Sequence, residues 1–419
     1  MQRKLPELTY LAAVLANPAI HLLSIAVSIR YLSPEDMGIL ANCALIPLYL
    51  AFTHLGVFSG LARELPFARG RGDQVAATHL EYASLAFAWR IATVLAVAIS
   101  TIGLTVVAIA ATPLTGWAIA ATGLVVWNQL IAAHVDVALR GRNEFSKLAS
   151  ILWTTNLINL ATVPLIAQGG MLGAVIRLAT TSVASIAIKM VLYDKKPRLT
   201  LDIAPLKHLA RTGAPLLASG ALFSVLVASD RTLVALTMPK DAAGQFALGA
   251  LILQGFQVIP QSLSMVYFPR MAQHFGQDRE KSGLRPYLIQ NLIFNAVTLI
   301  PISCITYSSL QWIIPNYFPK YLPGLEAAKV SCLTAMLWVY LGSGSVFGVT
   351  GHMRGYLTGL AASIGVVYIV GGAAILAGFG LMGAAWARFV GTALTASYTL
   401  YSAFRMTKPL VTPSSDAHP

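Results

Sequence analysis

The sequence predicts an all-α integral membrane protein with about twelve transmembrane helices, arranged as two parallel six-helix repeats around a central cavity. Three observations predict it. Charged residues make up 11% of the 419-residue chain and hydrophobic residues 56%, whereas a soluble domain carries about 25% charged residues. Apolar runs long enough to cross roughly 30 Å of hydrocarbon, about 20 residues each, recur from one end to the other. Lysine and arginine gather in every second connection between those runs, the bias that orients a multi-pass chain in a bilayer.

The first run, 8–29, follows Arg3 and Lys4. It is too long for a signal-peptide core and is expected to be retained. The turn Pro34-Glu35-Asp36 leads into the second run, 38–60. Runs at 84–108 and 114–135 follow, then 148–168 and 170–192, which only Gln168, Gly169 and Gly170 divide. The connection 193–212 carries Asp194-Lys-Lys-Pro-Arg198. Its stretch Ile203 to Leu209 is expected to form an amphipathic helix lying at the membrane interface. The second half supplies 213–237, 242–268, 287–309, 324–348, 355–378 and 381–404. In hydrocarbon each backbone polar group must be bonded within its own segment, so every run is helical.

With the amino terminus in the cytoplasm, twenty-one Lys and Arg residues fall on the cytoplasmic side, three (Arg30, Lys240, Lys320) outside and five within the runs. That bias places both termini in the cytoplasm. It also accounts for a net charge of +13 without nucleic acid, since no basic groove is interleaved with aromatic residues. The halves resemble each other. Gly38-Ile-Leu-Ala-Asn-Cys-Ala-Leu-Ile46 aligns with Gly244-Gln-Phe-Ala-Leu-Gly-Ala-Leu-Ile252, and Gly170-Met-Leu-Gly-Ala174 with Gly380-Leu-Met-Gly-Ala384. Six runs per half make the repeat parallel, an arrangement found in transporters. The expected domains are an N-terminal six-helix bundle, 1–192, a cytoplasmic linker, 193–212, a C-terminal six-helix bundle, 213–406, and a disordered cytoplasmic tail, 407–419.

Five motifs follow in order: Arg30-Tyr-Leu-Ser-Pro-Glu-Asp-Met-Gly38; His54-Leu-Gly-Val-Phe58 through Leu61-Ala-Arg-Glu64 with Arg69-Gly-Arg-Gly-Asp73; Leu139-Arg-Gly-Arg-Asn143; Ser229-Asp-Arg231; and Tyr267-Phe-Pro-Arg-Met-Ala272. In order and spacing they resemble the polysaccharide-transport, or O-antigen flippase, family of the multidrug/oligosaccharidyl-lipid/polysaccharide exporter superfamily, over nearly the whole chain. His54 departs from the acidic residue often found before Leu-Gly in that family. The resemblance implies a secondary transporter, without a cofactor, in a bacterial inner membrane. It would move an undecaprenyl diphosphate oligosaccharide from the cytoplasmic to the outer leaflet. A polysaccharide polymerase and a chain-length protein would be its partners.

A charge within hydrocarbon is costly and calls for a purpose. Arg177 and Arg388 occupy repeat-related runs, and Arg231 lies at a similar depth in the seventh. These three are expected to face a wet cationic cavity, because guanidinium matches phosphate geometry with paired hydrogen bonds. Arg30 and Arg90 complete the candidate set, though both lie close enough to an interface to snorkel. Asn128 and Gln254, with Asn156, Asn159 and Gln257, are candidates for sugar hydroxyls, and Asp230 for a coupling proton. No His or Cys spacing suits a metal, and Cys43, Cys304 and Cys332 are expected to pack within helices. No phosphate-binding loop is present. Two alternatives stand beside transport of a lipid-linked sugar. A membrane glycosyltransferase or polymerase would use the acid pair Glu35-Asp36, but the related turn reads Lys240-Asp241 and the outer connections are short. A multidrug antiporter would need buried acids, and the buried charge is mainly basic.

Overall fold

The computed structural model describes residues 5–109, 113–196, 202–278 and 280–408; most of the expected tail, from 409 on, lies outside them. All regular structure among the described residues is helical. The α-helices are α1 Leu5–Tyr31, α2 Pro34–Leu50, α3 Val57–Gly70, α4 Gln74–Ile109, α5 Pro113–Gly141, α6 Phe145–Ala161, α7 Pro164–Leu192, α8 Ile203–Thr237, α9 Lys240–Asp278, α10 Arg285–Tyr317, α11 Leu325–Leu337, α12 Gly344–Thr350, α13 Met353–Leu376 and α14 Gly380–Met406. Each expected run finds a helix. The tenth is composite: α11, the 3-10 stretch Trp338–Ser343 and α12. Among the described residues, nine helical stretches are both long and apolar enough to cross a membrane. Large apolar side chains lie exposed along them, among them Val94, Val97 and Ile102 on α4 and Ile293, Val297 and Ile305 on α10. Lipid is the solvent that accepts such faces.

Local chemistry sets several boundaries. Ser33 caps α2: its hydroxyl oxygen accepts from the Asp36 backbone N–H at 3.1 Å and donates to the Asp36 carboxylate at 2.7 Å. Pro34 fills the first turn, where no N–H is needed. The motif before Gly38 is therefore a helix start.

Three boundaries differ from the sequence expectation. The second run does not continue as one helix to residue 60. A 3-10 turn, Ala51–His54, ends at Leu55 and Gly56, both with positive φ (50° and 85°), and α3 starts afresh. The division between the fifth and sixth runs falls earlier, at Thr162 and Val163, because Pro164 opens a new helix. The expected break survives inside α7, where Gly170 takes φ 55°, ψ −131°. Lastly, Ile203 to Leu209 is not a separate interfacial helix but the first turns of the 35-residue α8. Pro205 sits in the first turn, where a missing N–H does no harm, and nothing before Gly213 interrupts the helix.

The chain packs as two compact units, residues 1–228 with 238–247, and residues 229–237 with 248–419. In the first, Leu61, Leu65, Leu85, Leu130, Ile131 and Leu139 form a fully buried core from α3, α4 and α5. In the second, Leu253, Phe256, Leu299, Trp338 and Tyr340 form a core from α9, α10 and the 3-10 stretch.

The repeat also appears as a contact within the first unit. Gly38 and Gly244, aligned by sequence, face each other across the starts of α2 and α9. A Cβ on Gly38 would collide with the Lys240 carbonyl, and one on Gly244 with the Pro34 carbonyl. The two collisions are mirror statements, since Pro34 precedes Gly38 by four residues and Lys240 precedes Gly244 by four.

Candidate functional site

Arg177 lies on α7 in the first unit, half-buried. One terminal nitrogen donates to the Ser24 hydroxyl on α1 at 2.9 Å and makes two longer contacts, 3.4 Å each, to the Asn159 carbonyl and side-chain oxygens on α6. Its Nε is buried without a hydrogen-bond partner, and no carboxylate among the described residues lies within 4 Å. A guanidinium carries five donors, so this one is underused. It borders a cavity of about 160 Å³ whose polar lining adds Ser28, Cys43 and Thr122, from α1, α2 and α5. The remaining walls are apolar, with Leu40, Pro47 and Ile166 among them.

Arg388, the repeat-related residue on α14 in the second unit, has a different setting. It pairs with Asp230 on α8 at 3.3 Å, with both side chains nearly sealed from solvent, and its Nε donates to Thr392 at 3.2 Å. Asp230 stands 206 residues after Ser24, the register that relates Gly244 to Gly38. The same helix-to-helix link thus occurs in each unit, with a neutral hydroxyl in one and a carboxylate in the other. Of these two arginines, Arg177 is the one without a carboxylate.

Asn159 is thus a sequence candidate that meets Arg177; the other candidates have settings of their own. Arg231 is half-buried next to Asp230, and its backbone N–H donates to the Asp230 carboxylate at 2.9 Å. Arg30 is exposed in the last turn of α1, and Arg90 is exposed in mid-α4. Asn128 is half-buried on α5 and accepts from Lys189 at 3.1 Å. Gln254 is half-buried on α9 in the second unit. Asn156 is buried and bonds the Ala13 carbonyl at 3.3 Å. Cys43 and Cys332 are buried as expected, but Cys304 is exposed.

Sequence reasoning missed a buried polar cluster in the first unit. Glu81, fully buried on α4, accepts from Arg142, from the Tyr193 hydroxyl at 2.6 Å and from Lys195 at 2.7 Å. Arg142 also bonds Asp194. The Tyr193 proton is spent on Glu81, so His134 Nε2, 3.1 Å away, must donate to the Tyr193 oxygen. His134 Nδ1 then accepts from Ser84 at 3.0 Å. Burial alone would raise the Asp194 carboxyl, but the Arg142 hydrogen bond and charge outweigh it and hold the group below its ordinary value. Burial works against the Arg142 charge, yet its bonds to Asp194 and Glu81 raise it above the usual value. Burial and the Glu81 charge raise the Tyr193 hydroxyl. In the sequence its members stand apart: Glu81 is a lone acid just ahead of an apolar run, Arg142 lies in the motif after the fourth run, and Asp194 and Lys195 lie in the connection after the sixth.

The polysaccharide biosynthesis protein family matches residues 27–320, more than two-thirds of the chain. The chain belongs to that family. No curated protein sequence matches it. Among solved structures, this family member resembles an inward-facing multidrug resistance MATE transporter of the MOP superfamily (TM-score 0.73, 14% identity, 94% of this chain and 98% of that one). It also resembles the lipid II flippase MurJ in an inward closed conformation (TM-score 0.67, 13% identity, 95% and 89%). A third relative is a MOP superfamily transporter from Pyrococcus furiosus, described as having a binding pocket of reverse polarity (TM-score 0.63, 14% identity, 97% and 96%). At such identities the likeness establishes the fold of this family member: an all-helical, multi-pass membrane architecture.

Proposed function

We propose that the chain is a flippase. By alternating access it carries an undecaprenyl diphosphate oligosaccharide from the cytoplasmic to the outer leaflet of a bacterial inner membrane, for O-antigen, lipopolysaccharide or exopolysaccharide synthesis. The observation that carries this is Arg177, a guanidinium with a buried unpaired Nε beside a cavity, while its counterpart Arg388 is paired with Asp230. The family's place in polysaccharide biosynthesis and the lipid II flippase among the structural relatives support it. The basic cytoplasmic connections support a cytoplasmic placement of both termini.

Size narrows the role of the cavity. At about 160 Å³ it compares with cavities that hold one benzene and falls well below the roughly 300 Å³ at which drug-sized pockets begin. It suits one phosphoryl group with water; the sugars stay outside it. A drug cation would call for a carboxylate, and none lines the cavity, so multidrug export is not proposed. Arg30, Arg90 and Arg231 serve the phosphates elsewhere along the path. Gln254 and the free amide of Asn128 serve sugar hydroxyls, and Asp230 takes a coupling proton that releases Arg388. An inside-negative potential favours expulsion of the anion by about 2.3 kcal/mol per charge per 100 mV.

The test is Arg177→Ala in purified protein reconstituted into vesicles with a lipid diphosphate oligosaccharide. Translocation should fall to background at unchanged membrane expression, and Arg177→Lys should recover part of it. Undiminished translocation by Arg177→Ala would overturn the proposal.

A further inference from the structure

Lys189 lies on α7, three residues from its last residue, Leu192. A lysine there would ordinarily extend past the helix end to reach headgroups and water. Instead its side chain turns back along the helix. The ammonium donates to the Ser185 hydroxyl, one turn earlier, and to the Asn128 side-chain oxygen on α5 at 3.1 Å. Asn128 is 13 residues from the α5 terminus at Gly141, about 20 Å along the axis at 1.5 Å per residue. The charge therefore sits at mid-span. Lys189 is 5% exposed, and no carboxylate among the described residues lies within 4 Å of it.

The surroundings are short of charge. On α5, Asp136 is the charged group that acts on Lys189, with Arg140 one turn further towards the helix end and His134 committed to Ser84 and Tyr193. On α6 the ionisable group is Lys147, bridged to Glu144 at 2.7 Å. Among the described side chains of α1 they are Tyr10, beside Arg140, then His21, close enough to Arg177 to feel its charge, and Arg30 and Tyr31 at the helix end. On α7 itself the other is Arg177, twelve residues away.

We propose that Lys189, with Ser185, Asn128 and Asp136, is a proton-exchange site that couples transport to a proton gradient. This rests on the transporter function proposed above. Both protonation states have partners here. As an ammonium, Lys189 donates to both oxygens. As a neutral amine it still donates to Asn128, while the Ser185 hydroxyl, able to donate as well as accept, turns its proton to the amine lone pair. In the inward-open state the proton leaves Nζ for cytoplasmic water by way of the Asp136 carboxylate, half-buried on α5; in the outward-open state Nζ takes its next proton from the outer side, so that one proton crosses the membrane in each cycle. Near-complete burial leaves no face for a phosphate, but a proton needs none. Intramembrane ionisable groups of this kind serve proton relays.

The test has two arms. The first is NMR of the full chain in nanodiscs with ¹⁵Nζ,¹³Cε-labelled lysine, the Lys189 signal being assigned by its loss in Lys189→Met. The signal should change protonation state within the pH range over which transport changes; a signal fixed throughout that range would overturn the proposal. The second compares vesicle translocation with and without an imposed proton gradient. The ratio of the two rates should fall well below the wild-type value in Lys189→Met and in Lys189→Arg, whose guanidinium keeps its proton, the remainder being the share that Asp230 carries. A ratio kept at the wild-type value in both variants would also overturn it. If the wild-type protein moved no lipid diphosphate at all, the flippase function would fall, and the NMR arm would still decide proton exchange.

Discussion

Replacing Ser24 by Asp would give the first unit the link that the second already has. The Ser24 hydroxyl stands 2.9 Å from Arg177, so a carboxylate there would meet the guanidinium at about the same distance. At an effective dielectric of about 20, unit charges some 3 Å apart attract by roughly 5 kcal/mol. If water in the cavity screens half of that, about 2.5 kcal/mol remains, close to two decades of affinity at about 1.4 kcal/mol per decade. Folding stability should change far less, because desolvation of the new carboxylate offsets most of its Coulombic gain. Ser24→Asp should therefore fold with a Tm near wild type and bind a short-chain polyprenyl diphosphate in detergent about a hundredfold more weakly, with translocation lost in proportion. A folded Ser24→Asp protein that bound and moved the diphosphate at wild-type levels would show that the unmatched charge of Arg177 is not what holds the substrate.

In the second unit, Asp230→Ala takes the carboxylate from Arg388, which is 2% exposed, and should cost about 3–5 kcal/mol, read as a fall in Tm that Asp230→Leu with Arg388→Met largely reverses. Gly38→Ala and Gly244→Ala should each destabilise by about 1–3 kcal/mol through overpacking, and the double variant by less than the sum, because both relieve the same close approach. The Asp194 carboxyl is held below its ordinary value. The stability it adds is complete above about pH 3.9, the ordinary value, and is lost as the pH falls through the lower folded value. Pepsin should accordingly cut the connection after Asp194 faster as the pH drops below about 4, whereas Asp194→Asn should be cut at the fast rate at every pH.

The helices were legible because lipid imposes one rule on every segment, so length and apolar character suffice to find them. Their ends were less so. The stop at Leu55 and Gly56 depends on backbone torsions, and α8 absorbs residues whose amphipathic pattern suited a surface helix equally well. Of the candidate arginines, sequence supplied depth but not partners. Arg177 and Arg388 look alike along the chain, and only the fold shows that Ser24 faces one and Asp230 the other. The Glu81 cluster was hidden for the same reason: its members come from α4, the end of α5 and the chain after α7, and no local spacing joins them. Lys189 counted as one more cytoplasmic charge because its position along the chain does not say which way its side chain runs.

The paired glycines constrain how the chain can evolve. Each segment presents the same patch that it receives, the isologous join by which a symmetric dimer closes on itself. In a duplicated gene that join passes from a single codon, whose every change is made twice at once, to two codons free to mutate separately. A larger residue on either side meets the other side's carbonyl, so each position restricts what the other can become.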